Sequence, residues 1–324
     1  MATIDNSFKT NHTCLRVKDP QISTKFYEDN FGLKIYRTFP FPQFNFSLYM
    51  LCYNNPSSPY YNNMWADREG ILELTHNYGT ESDPNYTINN GNVEPHRGFG
   101  HICFSVDNIE EACNRLEKNG VKFQKKLTDG RQKDIAFALD PDGYWIELIE
   151  HGINKNIGKT DLTTYRLNHT MIRVKDPKKS LQFYKDVLGM KLFSTRVHEG
   201  AKFTLYFLGY DHDSNFVENE ESKVNQAKRQ SVLELTHNWG TESDPNFKGY
   251  HNGNAQPQGY GHICISMQNA EKFCNEIEEK FGDELNWSVK FNKGGLKNLA
   301  FIKDPDGYSI EIIPSWIFDG ENKS

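Results

Sequence analysis

Leu72-Glu73-Leu74-Thr75-His76-Asn77 recurs letter for letter as Leu233-Glu234-Leu235-Thr236-His237-Asn238, 161 positions later (234 − 73). The run behind it, Gly79-Thr80-Glu81-Ser82-Asp83-Pro84-Asn85, recurs over 240–246. Upstream, Asn11-His12-Thr13 returns as Asn168-His169-Thr170, and Arg16-Val17-Lys18-Asp19-Pro20 returns over 173–177. Downstream, Gly100-His101-Ile102-Cys103 returns over 261–264 and Asp140-Pro141-Asp142-Gly143-Tyr144 over 304–308. The offset drifts from 157 (169 − 12) to 164 (311 − 147). Small loop insertions explain such a drift, because loops tolerate them. The chain is therefore one unit written twice. The seam falls in the polar stretch 151–163, which contains Gly152 and Gly158, and divides the chain into repeats at 1–156 and 157–324.

The 324 residues suit roughly two domains at about 150 residues each, enough to bury a core without disulfide or metal staples. With 37% hydrophobic and 25% charged residues, the composition excludes a disordered, collagen-like or coiled-coil chain. No apolar run approaches the ~18 residues of a membrane span. The opening Met1-Ala2-Thr3-Ile4-Asp5-Asn6 lacks a basic region followed by an apolar one, so no signal peptide is expected. A net charge of −6 argues against nucleic-acid binding and means that an anionic substrate needs a local basic patch. The six cysteines, Cys14, Cys52, Cys103, Cys113, Cys264 and Cys274, form no C-x-x-C pair. They read as buried thiols of a reducing, cytoplasmic setting.

Each half divides again. It opens with a His-bearing strand over 13–17, then a helix that Asp19 caps, with Pro20 in its first turn and Gly32 as its stop. Strand-like runs follow at 46–50 and 71–75. The second quarter repeats the order: a strand over 101–106, a helix over 109–118, and strands over 135–139 and 144–149. The fold class is thus α+β, built of four βαβββ-like modules, each beginning at a histidine and ending at a glutamate.

Strand alternation puts Thr13, Leu15 and Val17 on one face and His12, Cys14 and Arg16 on the other; His169, Met171 and Arg173 repeat the second set. Glu73, Glu147, Glu234 and Glu311 each sit between two aliphatic residues. A carboxylate buried there unpaired is costly, and any single one could simply be a solvated edge residue. The order His, Glu, His, Glu, complete in both halves at strand positions, instead points to a metal: neutral imidazole and carboxylate together suit Zn²⁺ or another first-row divalent ion. His76 and His237 also repeat but read as structural or supporting.

The runs Leu-Arg-Val-Lys-Asp-Pro, Leu-Glu-Leu-Thr-His-Asn, Gly-Phe-Gly-His-Ile and Asp-Pro-Asp-Gly-Tyr-Trp-Ile-Glu resemble glyoxalase I, the lactoylglutathione lyases, in the fused tandem form found in yeasts. The resemblance covers nearly the whole chain. It implies the vicinal-oxygen-chelate fold, with modules pairing into two barrel-like sheets, and two active sites in one monomeric polypeptide. Site A would combine His12 and Glu73 with His262 and Glu311; site B would combine His169 and Glu234 with His101 and Glu147. The implied reaction isomerises the hemithioacetal of methylglyoxal and glutathione to S-D-lactoylglutathione, with zinc or nickel as the ion, glutathione as co-substrate, and Glu147 and Glu311 as the bases.

The resemblance also assigns the glutathione carboxylates to Arg173, Asn238, Arg97 and Lys125 in site B, and to Arg16 and Asn77 in site A. Site A departs from the pattern. Gln258 stands at the place of Arg97, Ser309 at that of Trp145, and the loop over 291–300 spans nine positions where 123–136 spans 13 (136 − 123). Weaker adduct binding at site A is the expectation, unless Lys293 or Lys297 compensates. Two other functions within the superfamily are disfavoured. An extradiol-type dioxygenase uses two His and one Glu around iron, and a non-catalytic binder needs no metal set. The runs Phe46-Leu48-Met50 and Phe203-Leu205-Phe207 could line a cup but equally read as core.

Overall fold

The computed structural model describes residues 3–153, 155 and 157–318. Met1 and Ala2, part of the run read for a leader, and residue 156, at the boundary expected between repeats, lie outside the described residues. The first module comprises β1 (Lys9–Arg16), α1 (Pro20–Phe31), β2 (Lys34–Phe41), β3 (Phe46–Cys52) and β4 (Ile71–Asn77). The second comprises β5 (Phe99–Val106), α2 (Ile109–Lys118), β6 (Phe123–Lys125), β7 (Ala136–Leu139) and β8 (Trp145–Glu150). The third has β9 (Arg166–Arg173), α3 (Pro177–Gln182), β10 (Lys191–His198), β11 (Phe203–Gly209), a short α4 (Lys223–Gln226) and β12 (Val232–Asn238). The fourth has β13 (Tyr260–Met267), α5 (Ala270–Phe281), β14 (Asn286–Val289), β15 (Ala300–Lys303) and β16 (Ser309–Pro314).

Local chemistry sets these boundaries. The Asp19 side chain accepts from the amides of Gln21 and Ile22, satisfying donors that the first helical turn leaves free. Gly32 ends α1 at φ +75°, a conformation that other residues adopt at a cost. Asp176 caps α3 in the same way, but there the helix runs on as a single π-type turn, Phe183–Val187. β2 carries no clean alternation and is half exposed, which is why the sequence does not announce it.

The strands form two eight-stranded sheets, ordered β14-β15-β16-β13-β1-β4-β3-β2 and β10-β11-β12-β9-β5-β8-β7-β6. Each sheet joins two modules that are not halves of one repeat: the first with the fourth, and the second with the third. The joints are antiparallel pairs of His-bearing strands, β1 with β13 and β5 with β9. Both sheets are open, with β2 and β14 at the edges of one and β6 and β10 at those of the other.

The Thr13 face of β1 meets the Thr170 face of β9, with Oγ1 atoms 2.5 Å apart. Leu15, Phe31, Phe104, Ile172, Leu235 and Tyr260 belong to the core cluster that spans both sheets. Burying a side chain of this size contributes about 1.5–3 kcal/mol. Phe31 of α1 stacks on Phe104 of β5 at 4.5 Å, and Tyr27 donates to the Asp140 carboxylate at 2.9 Å; Tyr184 and Asp304 repeat that bond. With one face of each central strand committed to this core, the His12 and His169 faces are left for chemistry. All six cysteines are free and buried. No described helix is long and apolar enough to cross a membrane.

Candidate metal centres

Strand register assembles the two His/Glu groups. Antiparallel pairing sets His12 opposite Cys264 and Cys14 opposite His262, while parallel pairing sets Cys14 beside Glu73 and Cys264 beside Glu311. The four side chains thus converge from β1, β4, β13 and β16. In the second sheet His169 faces Cys103 and Met171 faces His101, with Glu234 beside Met171 and Glu147 beside Cys103.

In site B, His101, Glu147, His169 and Glu234 are all buried, and one ligand atom of each lies within 4.8 Å of every other. His169 Nε2 is 2.9 Å from Glu147 Oε2, 3.1 Å from Glu234 Oε2 and 3.2 Å from His101 Nε2. In site A, His12 Nε2 is 3.2 Å from Glu73 Oε2, 3.3 Å from Glu311 Oε2 and 3.1 Å from His262 Nε2. There the close groups are His12–Glu73–His262 and His12–Cys264–Glu311, so the Cys264 thiol lies among the donors.

The tautomer of the first histidine follows from its neighbour. Asn11 Nδ2 donates to the carbonyls of Trp65 and Arg68, which leaves Oδ1 to face His12 Nδ1 at 2.7 Å. Oδ1 can only accept, so Nδ1 carries a proton and Nε2 is the nitrogen turned into the cluster. Asn168 does the same for His169, accepting at 2.8 Å. Burial pushes the Glu147 and Glu311 carboxyls upward. The hydrogen bonds and charges of His101 and His169, and of His12 and His262, outweigh it and hold both below the usual carboxylate range. Burial alone would lower His169 and His262, yet Cys103, Glu147 and Glu234 raise the first, and Glu311 and Glu73 the second. Two buried carboxylates require positive charge opposite them. With their Nε2 protons released, two imidazole nitrogens and two carboxylate oxygens are a donor set that fits a divalent ion, so each group could hold one.

Site B opens on a cavity of about 750 Å³ whose walls come from both modules: Phe137 and Trp145 from the second, Phe203, Leu205 and Phe207 from the third. The second apolar run therefore does line a cup. In the first run Met50 is fully buried, in an apolar cluster with Phe39, Phe41 and Trp65.

Of the residues expected to hold glutathione at site B, Arg97, Arg173 and Asn238 line this cavity. Lys125 is not among the lining residues; its Nζ donates at 2.8 Å to the carbonyls of Gln132 and Ile135. Arg173 Nη1 donates to the carbonyls of Gly91, Gly98 and Phe99, and Nη2 to Asn92 Oδ1. Burial, then the charge of Arg97, pushes it below the ordinary guanidinium range. Arg16 mirrors it on Gly259, Tyr260 and Asn254. Asn238 donates to the Tyr250 hydroxyl at 2.9 Å, and Asn77 is the last residue of β4. His76 and His237 are bonded at 2.7 Å to Glu81 and Glu242 in the turns that follow. Sequence reasoning missed Arg196 and Gln226, both on the cavity wall. Both lie outside the repeated runs, and their partners in the first repeat are of different type.

The family described as "Glyoxalase/Bleomycin resistance protein/Dioxygenase superfamily" matches the chain twice, over 9–148 and 166–312. The chain is 56% identical to glyoxalase I of Saccharomyces cerevisiae over 97% of its own length and 94% of the relative's. It is 46% identical to the lactoylglutathione lyase of Schizosaccharomyces pombe, covering 95% of this chain and 97% of that one. Among solved structures, glyoxalase I from Zea mays superposes with a TM-score of 0.71 at 26% identity, covering 97% of this chain and 95% of that one. Repeat, sheet architecture and His/Glu geometry agree with these likenesses, and the chain belongs to the glyoxalase I family, the lactoylglutathione lyases.

Proposed function

We propose that the chain converts the hemithioacetal of methylglyoxal and glutathione to S-D-lactoylglutathione, detoxifying methylglyoxal, at two metal centres in one polypeptide. The observation that carries this reading is the convergence of two His Nε2 atoms and two Glu carboxylates, from two modules, at the base of a mixed polar and apolar cavity. Site B would use His169, Glu234, His101 and Glu147; site A would use His12, Glu73, His262 and Glu311. Zinc or nickel suits this nitrogen and oxygen set. When bound, such an ion supplies Lewis-acid polarisation of the substrate oxygens.

The residues of the chain do the rest. Glu147, held ionised by His101 and His169, takes the proton from the carbon bearing sulfur and returns it to the neighbouring carbon, one carbon being oxidised as the next is reduced. Glu311 does the same in site A. Arg97, Arg173 and Asn238, which line the cavity, would provide the positive and polar side for glutathione at site B, and Arg16 and Asn77 at site A; Lys125 would join them only by leaving the Gln132 and Ile135 carbonyls. The second Glu in each group distinguishes it from a two-His, one-Glu iron site. The two repeats, 1–156 and 157–324, then act as one monomer, since each site finds its partner module within the chain. Six free, buried thiols fit a reducing cytoplasm.

The test is an absorbance assay with preformed hemithioacetal on metal-stripped protein, before and after adding back zinc or nickel. Restored turnover is expected. A reconstituted protein that stayed inactive with every divalent ion would overturn the assignment.

A further inference from the structure

The two sites differ at one wall of the cup. Asn11 Nδ2 reaches the carbonyls of Trp65 and Arg68, and Asn168 Nδ2 those of Gln226 and Arg229, so Gln226 stands where Trp65 stands. β2 pairs Phe39 with Leu48 and β10 pairs Arg196 with Leu205, across matching runs, so Arg196 stands where Phe39 stands.

In site B the Arg196 guanidinium lies 4.3 Å over the Phe207 ring, and Phe207 is the strand partner of Glu234. Arg196 Nη2 donates to Gln226 Oε1 at 2.8 Å, an atom that also accepts from Ser194 at 2.6 Å. Among the described residues no carboxylate lies within 4.0 Å of this guanidinium, and the bond to Gln226 is its only hydrogen bond. The other cations of the cavity are engaged: Arg173 on backbone carbonyls, Arg97 with Glu94 at 3.4 Å, and Lys223 with Asp134 at 2.6 Å. In site A the same wall is aromatic. Phe39 lies 5.3 Å from Trp65 and 5.2 Å from Phe318, and the Trp65 ring is 6.3 Å from that of His12. Trp65 Nε1 has no partner among the described residues, so this wall offers a donor where site B has Arg196 and Gln226; the cation on this face, Arg37, pairs with Met50 at the place of Ser194 instead.

We propose that the two sites divide 2-oxoaldehyde adducts by the aldehyde's side chain, with Arg196 as the specificity-determining residue of site B. Site B takes adducts whose side chain ends in a carboxylate, and site A takes those with an uncharged aryl group. The inference rests on the functional reading above. A half-buried guanidinium with unused donors gains charge-assisted hydrogen bonds from a carboxylate, whereas an apolar group leaves those donors desolvated. The Phe39–Trp65 wall offers ring contacts and, at the place of Arg196, no cation to pair with a buried carboxylate.

The experiment compares glutathione adducts of phenylglyoxal and 4-carboxyphenylglyoxal, with the methylglyoxal adduct as control, on the zinc-loaded full chain. Glu311→Gln leaves site B working and Glu147→Gln leaves site A. The ratio of kcat/KM, carboxyaryl over aryl, should be at least tenfold higher for E311Q than for E147Q. Adding Arg196→Gln to E311Q should lower that ratio at least tenfold, and Arg196→Lys should restore part of it. The reciprocal change, Phe39→Arg with Trp65→Gln in E147Q, should raise it. Equal ratios in E311Q and E147Q with the methylglyoxal reaction intact would overturn the division of substrates alone. An Arg196→Gln change that slowed both aryl adducts alike would do so too, making Arg196 a glutathione contact. Loss of the methylglyoxal reaction in both single-site variants would overturn the functional reading itself.

Discussion

His12 Nε2 and His262 Nε2 lie 3.1 Å apart although 250 positions separate them in the chain. The antiparallel joint between β1 and β13 makes this contact, and the joint between β5 and β9 makes its counterpart, His101 to His169 at 3.2 Å. Each centre therefore depends on both ends of a joint and on the groups that aim its imidazoles.

Asn168 is one such group. It fixes the His169 tautomer through Oδ1 and anchors itself through Nδ2. Asn168→Ala should weaken zinc binding at site B about 10–100-fold, in line with other supporting residues of metal sites, and leave site A unchanged. Competition against a chromogenic chelator, fitted for two sites, checks this.

Glu147→Gln and Glu311→Gln should each abolish one centre. The wild type should retain two ions per chain after desalting and each variant one, as read by elemental analysis. The site surviving in E147Q lacks an equivalent of Arg97, with Gln258 bonded instead to the Asn254 carbonyl at 3.1 Å. Its KM for the methylglyoxal adduct should exceed that of E311Q by about ten- to a hundredfold, the worth of one charge-assisted contact. Indistinguishable KM values would contradict the asymmetry.

Arg173 and Arg97 should separate stability from binding. Arg173 is buried on three backbone carbonyls of the segment leading into β5, so Arg173→Met should cost on the order of 3 kcal/mol, because it strands those carbonyls. Arg97 pairs with Glu94 near the surface, and Arg97→Met should cost at most about 1 kcal/mol while raising KM at site B. Denaturant titration of both variants, set beside their KM values in the E311Q background, makes the comparison.

Asp140 gives a pH signature. Burial, then the charge of Asp142, raises its carboxyl to about 7. A carboxyl raised on folding contributes stability that is full below its unfolded pKa near 4 and is lost as pH climbs to about 7. Relative to Asp140→Asn, the wild type should thus lose up to about 1.4 kcal/mol per pH unit across that window and level off above it. Unfolding free energies of both proteins from pH 4 to 9 check the sign; a difference independent of pH would refute it.

Much of this was legible in the letters. Repetition alone revealed the tandem organisation, because runs such as Leu-Glu-Leu-Thr-His-Asn recur in order. The Asp19–Pro20 cap and the Gly32 stop are local devices that work wherever the chain places them. His12, Glu73 and their counterparts stood out because a charged or imidazole side chain between aliphatic neighbours is costly without a partner. β2 and β10 were not announced, since edge strands half exposed to water need no alternation.

The sequence by itself determined the modules, their order and the eight residues whose chemistry suits a divalent ion. Only the tertiary structure decided which modules share a sheet, because strand pairing joins residues 68 and 250 positions apart and no local pattern encodes it. It also decided that Arg173 and Arg16 spend their donors on backbone carbonyls and that Lys125 turns to its own loop, outside the residues lining the cavity. It placed Arg196 over Phe207 where the other site has Phe39. Those outcomes depend on where each side chain's donors find acceptors after the sheets form, and a chain read in one dimension does not hold those distances.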